Sequence, residues 1–85
     1  RDLDNALISI NRAMEDAPHN RLFGFKASIL ALKGEIEESK IWLKKYLNDR
    51  PEIKSLEDYK KVVPEMNESL TNNLLEGIKI AGLSD

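Results

Sequence analysis

The chain echoes itself. Ala6-Leu7, Ile10, Ala13-Met14 and Pro18 return 33 residues later as Ser39-Lys40, Leu43, Tyr46-Leu47 and Pro51. In each copy a small residue is followed by an aliphatic four positions on, a core-type residue three further, and a proline five beyond that. This is one face of a helix running into a turn. The helix cannot cross the turn, because proline lacks an amide donor and drives the preceding residue out of the α region. A unit of this kind cannot bury its apolar face alone, so two of them at fixed spacing commit the chain to stacked helices sharing one core.

Spacing predicts five helices. The first runs from about Leu3 to Asp16, with Leu3, Ala6, Leu7, Ile10, Ala13 and Met14 on one face. Asp2 or Asp4 complements the positive end of its dipole, and Pro18-His19-Asn20 forms the turn. The second, about Arg21 to Lys33, has two apolar faces. Gly24, Ala27, Ser28 and Ala31 make a small one; Leu22, Phe25, Ile29 and Leu32 make a large one. Such a helix is expected between neighbours. Gly34 supplies a left-handed stop.

The third helix, about Glu35 to Asn48, starts on Glu35, Glu37 and Glu38 and carries Lys44-Lys45 towards its end, both in the sense the dipole favours. Its buried stripe is Ile36, Ser39, Leu43, Tyr46 and Leu47. Trp42 lies on the flank, expected in the core against the last helix, and Ile41 points to solvent. After Pro51 the repeat fails. Ser55-Leu56-Glu57-Asp58 reads as a capping box opening a short helix that ends near Val62 or Val63 before Pro64. Asn67 caps a last helix to about Ala81, with Leu70, Leu74, Leu75, Ile78 and Ala81 as its stripe. Gly82 ends it, and Leu83 folds back.

Composition narrows the function. With 41% hydrophobic and 33% charged residues, the 85-residue chain is neither disordered nor membrane-embedded. No apolar run approaches the ~18–20 residues of a spanning helix, and no signal-peptide pattern opens the chain. The net charge is −2, and Lys44-Lys45 and Lys60-Lys61 are the sole basic doublets, so no nucleic-acid footprint exists. Absence of cysteine removes disulfides, thiolate metal sites and thiol nucleophiles, and suits a reducing cytoplasm. Because Arg1 lies within what reads as the second helix of a repeat, the chain is expected to be a piece of a longer protein.

Residues 4–51 resemble a tetratricopeptide array. Gly24, Ala27, Ser28 and Ala31 hold places where that family usually has Trp, Leu, Gly and Tyr. Gly34 matches the inner-turn glycine, and Ser39, Leu43 and Tyr46 match the small, aromatic and small positions. Pro51 matches the closing proline. The departures are the missing Trp and Tyr, and a bulky Tyr46 where alanine is usual. The resemblance implies an all-α, right-handed stack of tetratricopeptide-like helical hairpins within a single compact domain. Residues 1–51 would form a half repeat plus one full repeat, and residues 52–85 a two-helix cap. The tail adds Pro51-Glu52-Ile53, Ser55 to Asp58, Val63-Pro64, Leu70, Leu74-Leu75-Glu76-Gly77-Ile78 and Ala81-Gly82-Leu83. It is similar to the carboxy-terminal end of bacterial class III adenylate or guanylate cyclases that carry such repeats. Catalysis in that family belongs to an amino-terminal domain with metal-binding aspartates, so no catalytic residue carries over.

Nor do the residues offer a reaction of their own. His19, the one histidine, sits in a turn without metal partners nearby in sequence. Glu35, Glu37 and Glu38 read as a solvated helix start, and Ser28, Ser39 and Ser55 have no His/Asp partners. Gly77 and Gly82 cradle no phosphate. No catalytic, cofactor-binding or metal residue is expected. Leu22, Phe25, Ile29 and Lys33 stand at places that face the groove in tetratricopeptide domains; Leu22, Phe25, Ile29 and Leu32 are read first as core, covered by a preceding repeat or by the folded-back last helix, and second as a partner groove. Phe25 and Ile29 cannot make the Lys/Asn clamp used on terminal carboxylates. The expected function is a non-catalytic interaction or regulatory module of a bacterial signalling protein. The alternatives are a structural cap of the solenoid or the carboxy-terminal repeat module of a transcriptional regulator. Expected partners are a protein or peptide, or other domains of the same chain, with neither nucleic acid nor membrane. Because the first helix lacks a preceding partner, two copies are expected to pair through Leu3, Leu7, Ile10 and Met14.

Overall fold

Five α-helices follow one another in the computed structural model, which describes residues 2–17, 20–63 and 68–83. They are α1 (Leu3–Asp16), α2 (Asn20–Leu32), α3 (Ile36–Asp49), α4 (Leu56–Val62) and α5 (Glu68–Ala81). Among the described residues there is no strand. The expected turn residues Pro18 and His19, the stop at Pro64 and the cap at Asn67 lie outside them. α2 begins and ends one residue before the expected bounds, and α3 one residue after.

The helix ends follow local chemistry. Asp2 is the N-cap of α1, its carboxylate accepting from the Asn5 amide at 3.3 Å and from Asn5 Nδ2 at 2.6 Å. Gly34, at φ 89°, ends α2 in a Schellman turn: Glu35 N–H donates to Leu30 and Gly34 N–H to Ala31. Gly82, at φ 130°, repeats it, with Leu83 N–H bonded to Ile78 and Gly82 N–H to Lys79. Both stops were legible in the sequence. Two details differ. The Asp58 carboxylate, expected to close the capping box on Ser55, accepts instead from the Lys54 amide at 3.0 Å, while Ser55 Oγ caps Asp58 as expected. α3 continues to Asp49, so Lys44-Lys45 sit ahead of its last turn, which carries no basic residue. The dipole acts within the last turn only, and Lys45 lies over the Trp42 ring instead, at 4.2 Å.

α2 is the centre of the molecule. α1, α3 and α5 all pack against it, and α1 packs against no other helix among the described residues. Its small face admits α3 and α5: Gly24, Ala27, Ser28 and Ala31 are all buried, with Gly24 beside Tyr46 of α3 and Ser28 beside Gly77 of α5. Leu30, absent from either face drawn from the sequence, is 2% exposed, and Phe23 packs on the Trp42 ring at 5.5 Å. Trp42 was expected against the last helix; its ring partners are Phe23 and Lys26 of α2 and Lys45 of α3. The α3 stripe is as expected, with Ser39, Leu43 and Tyr46 buried and Ile41 54% exposed.

α5 comes back over α2 so closely that Gly77 is obligatory. A Cβ on Gly77 would overlap the Ser28 hydroxyl and carbonyl. At that crossing Ser28 Oγ donates to the Leu74 carbonyl at 2.9 Å, across 46 residues of sequence. Ile78 and Ala81, next along the α5 stripe, are 0% and 1% exposed. Leu74 is buried too, whereas Leu70, expected on the same stripe, is exposed. One turn earlier along the same face of α2, beside Gly24, Tyr46 of α3 meets Tyr59 of α4 edge to face, with centroids 5.7 Å apart at 86°. The extents are nearly equal, 28 × 27 × 25 Å, and the described residues form one compact helical body.

Candidate functional site

α5 covers α2 but does not pack against α1, and the space left between them is an apolar cleft of about 410 Å³. Leu3, Ala6 and Ile10 form one wall, spaced i, i+3, i+7 on α1. Phe25, Ile29 and Leu32 of α2 form the floor, and Leu70 and Leu74 of α5 the far wall. Ser28 also lines it, but its hydroxyl proton is engaged by the Leu74 carbonyl. The polar lining is confined to Asp2, Ser9 and Asn73 besides. The volume falls in the range of ordinary ligand and peptide sites, ~300–1,000 Å³.

The cleft exists because α1 is incompletely covered. It is amphipathic by sequence, yet none of its residues is buried; Leu3, Ala6, Leu7, Ile10, Ala13 and Met14 are each half-buried. A helix with one apolar stripe and one neighbour shields only part of that stripe.

Of the four residues expected in a groove, Phe25 and Ile29 line the cleft and are half-buried. Leu22 is half-buried on α2 outside the lining. Lys33 is elsewhere: its ammonium bonds Asp4 at 2.7 Å and lies 3.7 Å from Glu35, tying the end of α2 to the first turn of α1. The hydrogen bond to Asp4 raises the Lys33 pKa above its ordinary value. Leu3, Ile10, Leu70 and Leu74 complete the cleft and were not assigned to it from the sequence. The signal for the α1 members was the missing partner of the first helix; for the α5 members there was none, because nothing local says where α5 lands.

The other polar candidates have structural roles. Ser39 Oγ donates to the Ile36 carbonyl at 2.6 Å, and Ser55 caps α4. Arg50 and Glu52, 2.7 Å apart, close the turn after α3, and that bond holds the Glu52 carboxyl below its ordinary pKa. Glu35, Glu37 and Glu38 are exposed at the start of α3, and the described residues contain no group of three or more His, Cys, Asp or Glu placed to hold a metal ion. Among the described residues no helix is long and apolar enough to cross a membrane. No protein-family model matches this chain, and neither does any curated protein or solved structure.

Proposed function

We propose that this chain is a non-catalytic interaction module of the tetratricopeptide-like kind, at the carboxy-terminal end of a bacterial signalling protein, with a class III nucleotide cyclase as the parent its tail most resembles. The observation that carries the binding role is the apolar cleft between α1, α2 and α5. Open apolar surface is costly to a soluble protein and marks a place where another molecule sits. The repeat reading draws support from an exchange of sizes. Gly24 stands where the family has Trp, and the bulky Tyr46 stands where it has a small residue. The two are neighbours: a Cβ on Gly24 would lie 3.5 Å from the Tyr46 ring.

A structural cap is the second reading, favoured by the way α5 covers the small face of α2. Selection from a library of displayed helical peptides separates the two. A module yields binders that compete for one site, lose binding on Ile10→Asp and keep it on Ile41→Asp. A cap yields none that distinguish the two variants.

A further inference from the structure

α1 has an outer face as well as an inner one. Among the described residues only α2 packs against this helix, so the side nearly opposite its apolar stripe is left to water. Asp4, Asn5, Ile8, Asn11 and Arg12 are all exposed there. They share one helical face, since each of the other four lies three or four residues from Ile8. Ile8, at the centre, is 50% exposed. One exposed aliphatic is ordinary on a protein surface; the order of the polar groups around it is not. Three residues from Ile8 in either direction stands an asparagine, Asn5 or Asn11. Four residues away stand opposite charges, Asp4 on one side and Arg12 on the other.

We infer that this face is a contact for a second copy of the chain, with two α1 helices crossing antiparallel on a two-fold axis at Ile8. In an isologous contact of that kind, each position before the axis meets the position equally far beyond it on the other copy. Ile8 then covers its own counterpart, Asp4 meets Arg12, and Asn5 meets Asn11, each pair formed twice. The groups are placed to take part. Arg12 makes no ion pair among the described residues. Asp4 holds Lys33 at 2.7 Å, yet its side chain is 80% exposed, and a carboxylate accepts more than one donor. Asn5 gives its amide to Asp2 and keeps its side-chain carbonyl for the amide of Asn11. Charge also selects the direction. A parallel pairing would set Asp4 on Asp4 and Arg12 on Arg12, and a uniformly acidic or basic partner would meet a like charge at one of the two. From Asp4 to Arg12 the face spans about 12 Å. One helix face of that length falls well short of the ~800 Å² per partner of a stable dimer, so the association is weak and transient.

The test is self-association of the folded chain at low salt, read by sedimentation and by methyl resonances between about 20 μM and 1 mM. The mean mass should rise towards twice that of the chain, the Ile8 methyl should shift with concentration, and added salt should reduce both effects. Arg12→Asp and Asp4→Arg each set like charges across the axis and should each weaken the association on the order of tenfold. Mixed in equal amounts, the two variants should associate as the parent does, because every carboxylate again faces a guanidinium. Asp4→Arg also loses the Lys33 pair, a defect within one chain that mixing cannot repair, so recovery in the mixture reports the contact between copies. If that variant does not fold, Arg12→Asp and Ile8→Lys, at exposed positions, decide alone, and both must lose the association. A chain monomeric throughout the range overturns the inference. So does association that survives Ile8→Lys, or a mixture no better than its components. Concentration-dependent shifts at Leu3, Ile10 and Leu70 in place of Ile8 overturn it in favour of pairing through the cleft.

Discussion

Two glycines on facing helices have opposite tolerance for a single methyl group. At Gly77 a Cβ would meet the Ser28 backbone carbonyl as well as its hydroxyl, so α2 and α5 must separate to admit it. At Gly24 the nearest atom is the Tyr59 hydroxyl at 3.2 Å, the far end of a side chain. Alanine gains about 1 kcal/mol of helix propensity over glycine at either site. At Gly77 that gain is outweighed by overpacking, and Gly77→Ala should cost about 1–3 kcal/mol net. At Gly24 the two effects nearly cancel, and Gly24→Ala should stay within about 0.5 kcal/mol of the parent. Urea unfolding of the two variants checks this. Equal losses at both would mean that α5 does not approach α2 at Gly77.

At the scale of elements, α4 is held through Tyr59. Burial pushes its phenol well above the ordinary tyrosine pKa of 10.0, and the neighbouring Tyr46 adds to the shift. Burial raises Tyr46 as well. The folded state therefore keeps protons that the unfolded chain gives up. Stability from this source is whole below about pH 10 and falls as pH rises through the folded pKa, at up to ~1.4 kcal/mol per pH unit for each tyrosine. Denaturation midpoints should be flat in this respect to about pH 9.5 and then drop. Tyr59→Phe should be less stable at neutral pH but lose less between about pH 10 and 11.5. An unchanged alkaline slope in that variant would count against the buried phenol.

Taken as a whole, the molecule is unevenly held. α2 is packed by three helices, whereas α1 is packed by one and has no buried residue. Regions with few buried contacts open locally at lower free energy than the global transition. Amide exchange in α1, at Ile10 and Met14, should be at least tenfold faster than at Ala27 and Leu30. Binding of a helical peptide in the cleft should narrow the gap, because a ligand of the cleft grips α1 to α5. Ile10→Asp should remove the remaining α1 protection and leave α2 to α5 cooperative. If α1 and α2 exchange at one rate, the chain unfolds as a single unit and the cleft is better covered than its geometry implies.

The sequence by itself determined the five helices and most of their ends. Period sets a face, proline removes a donor, and a glycine in the left-handed region ends a helix; each acts within a turn or two of chain. Gly34, Gly82, the Ser55 cap and the exposure of Ile41 follow from such rules, as does the small-residue face of α2. Local rules also misled: they ended α3 too early, leaving Lys44-Lys45 away from its terminus, and they overlooked Leu30. Only the tertiary structure decided which neighbour uses the small face. The Ser28–Leu74 bond and the Gly77 crossing join residues more than forty positions apart, and no periodicity records that meeting. The cleft is a consequence of it. It exists because α5, once placed on α2, stops short of α1, so its aliphatic walls come from three helices that no single helix's pattern brings together.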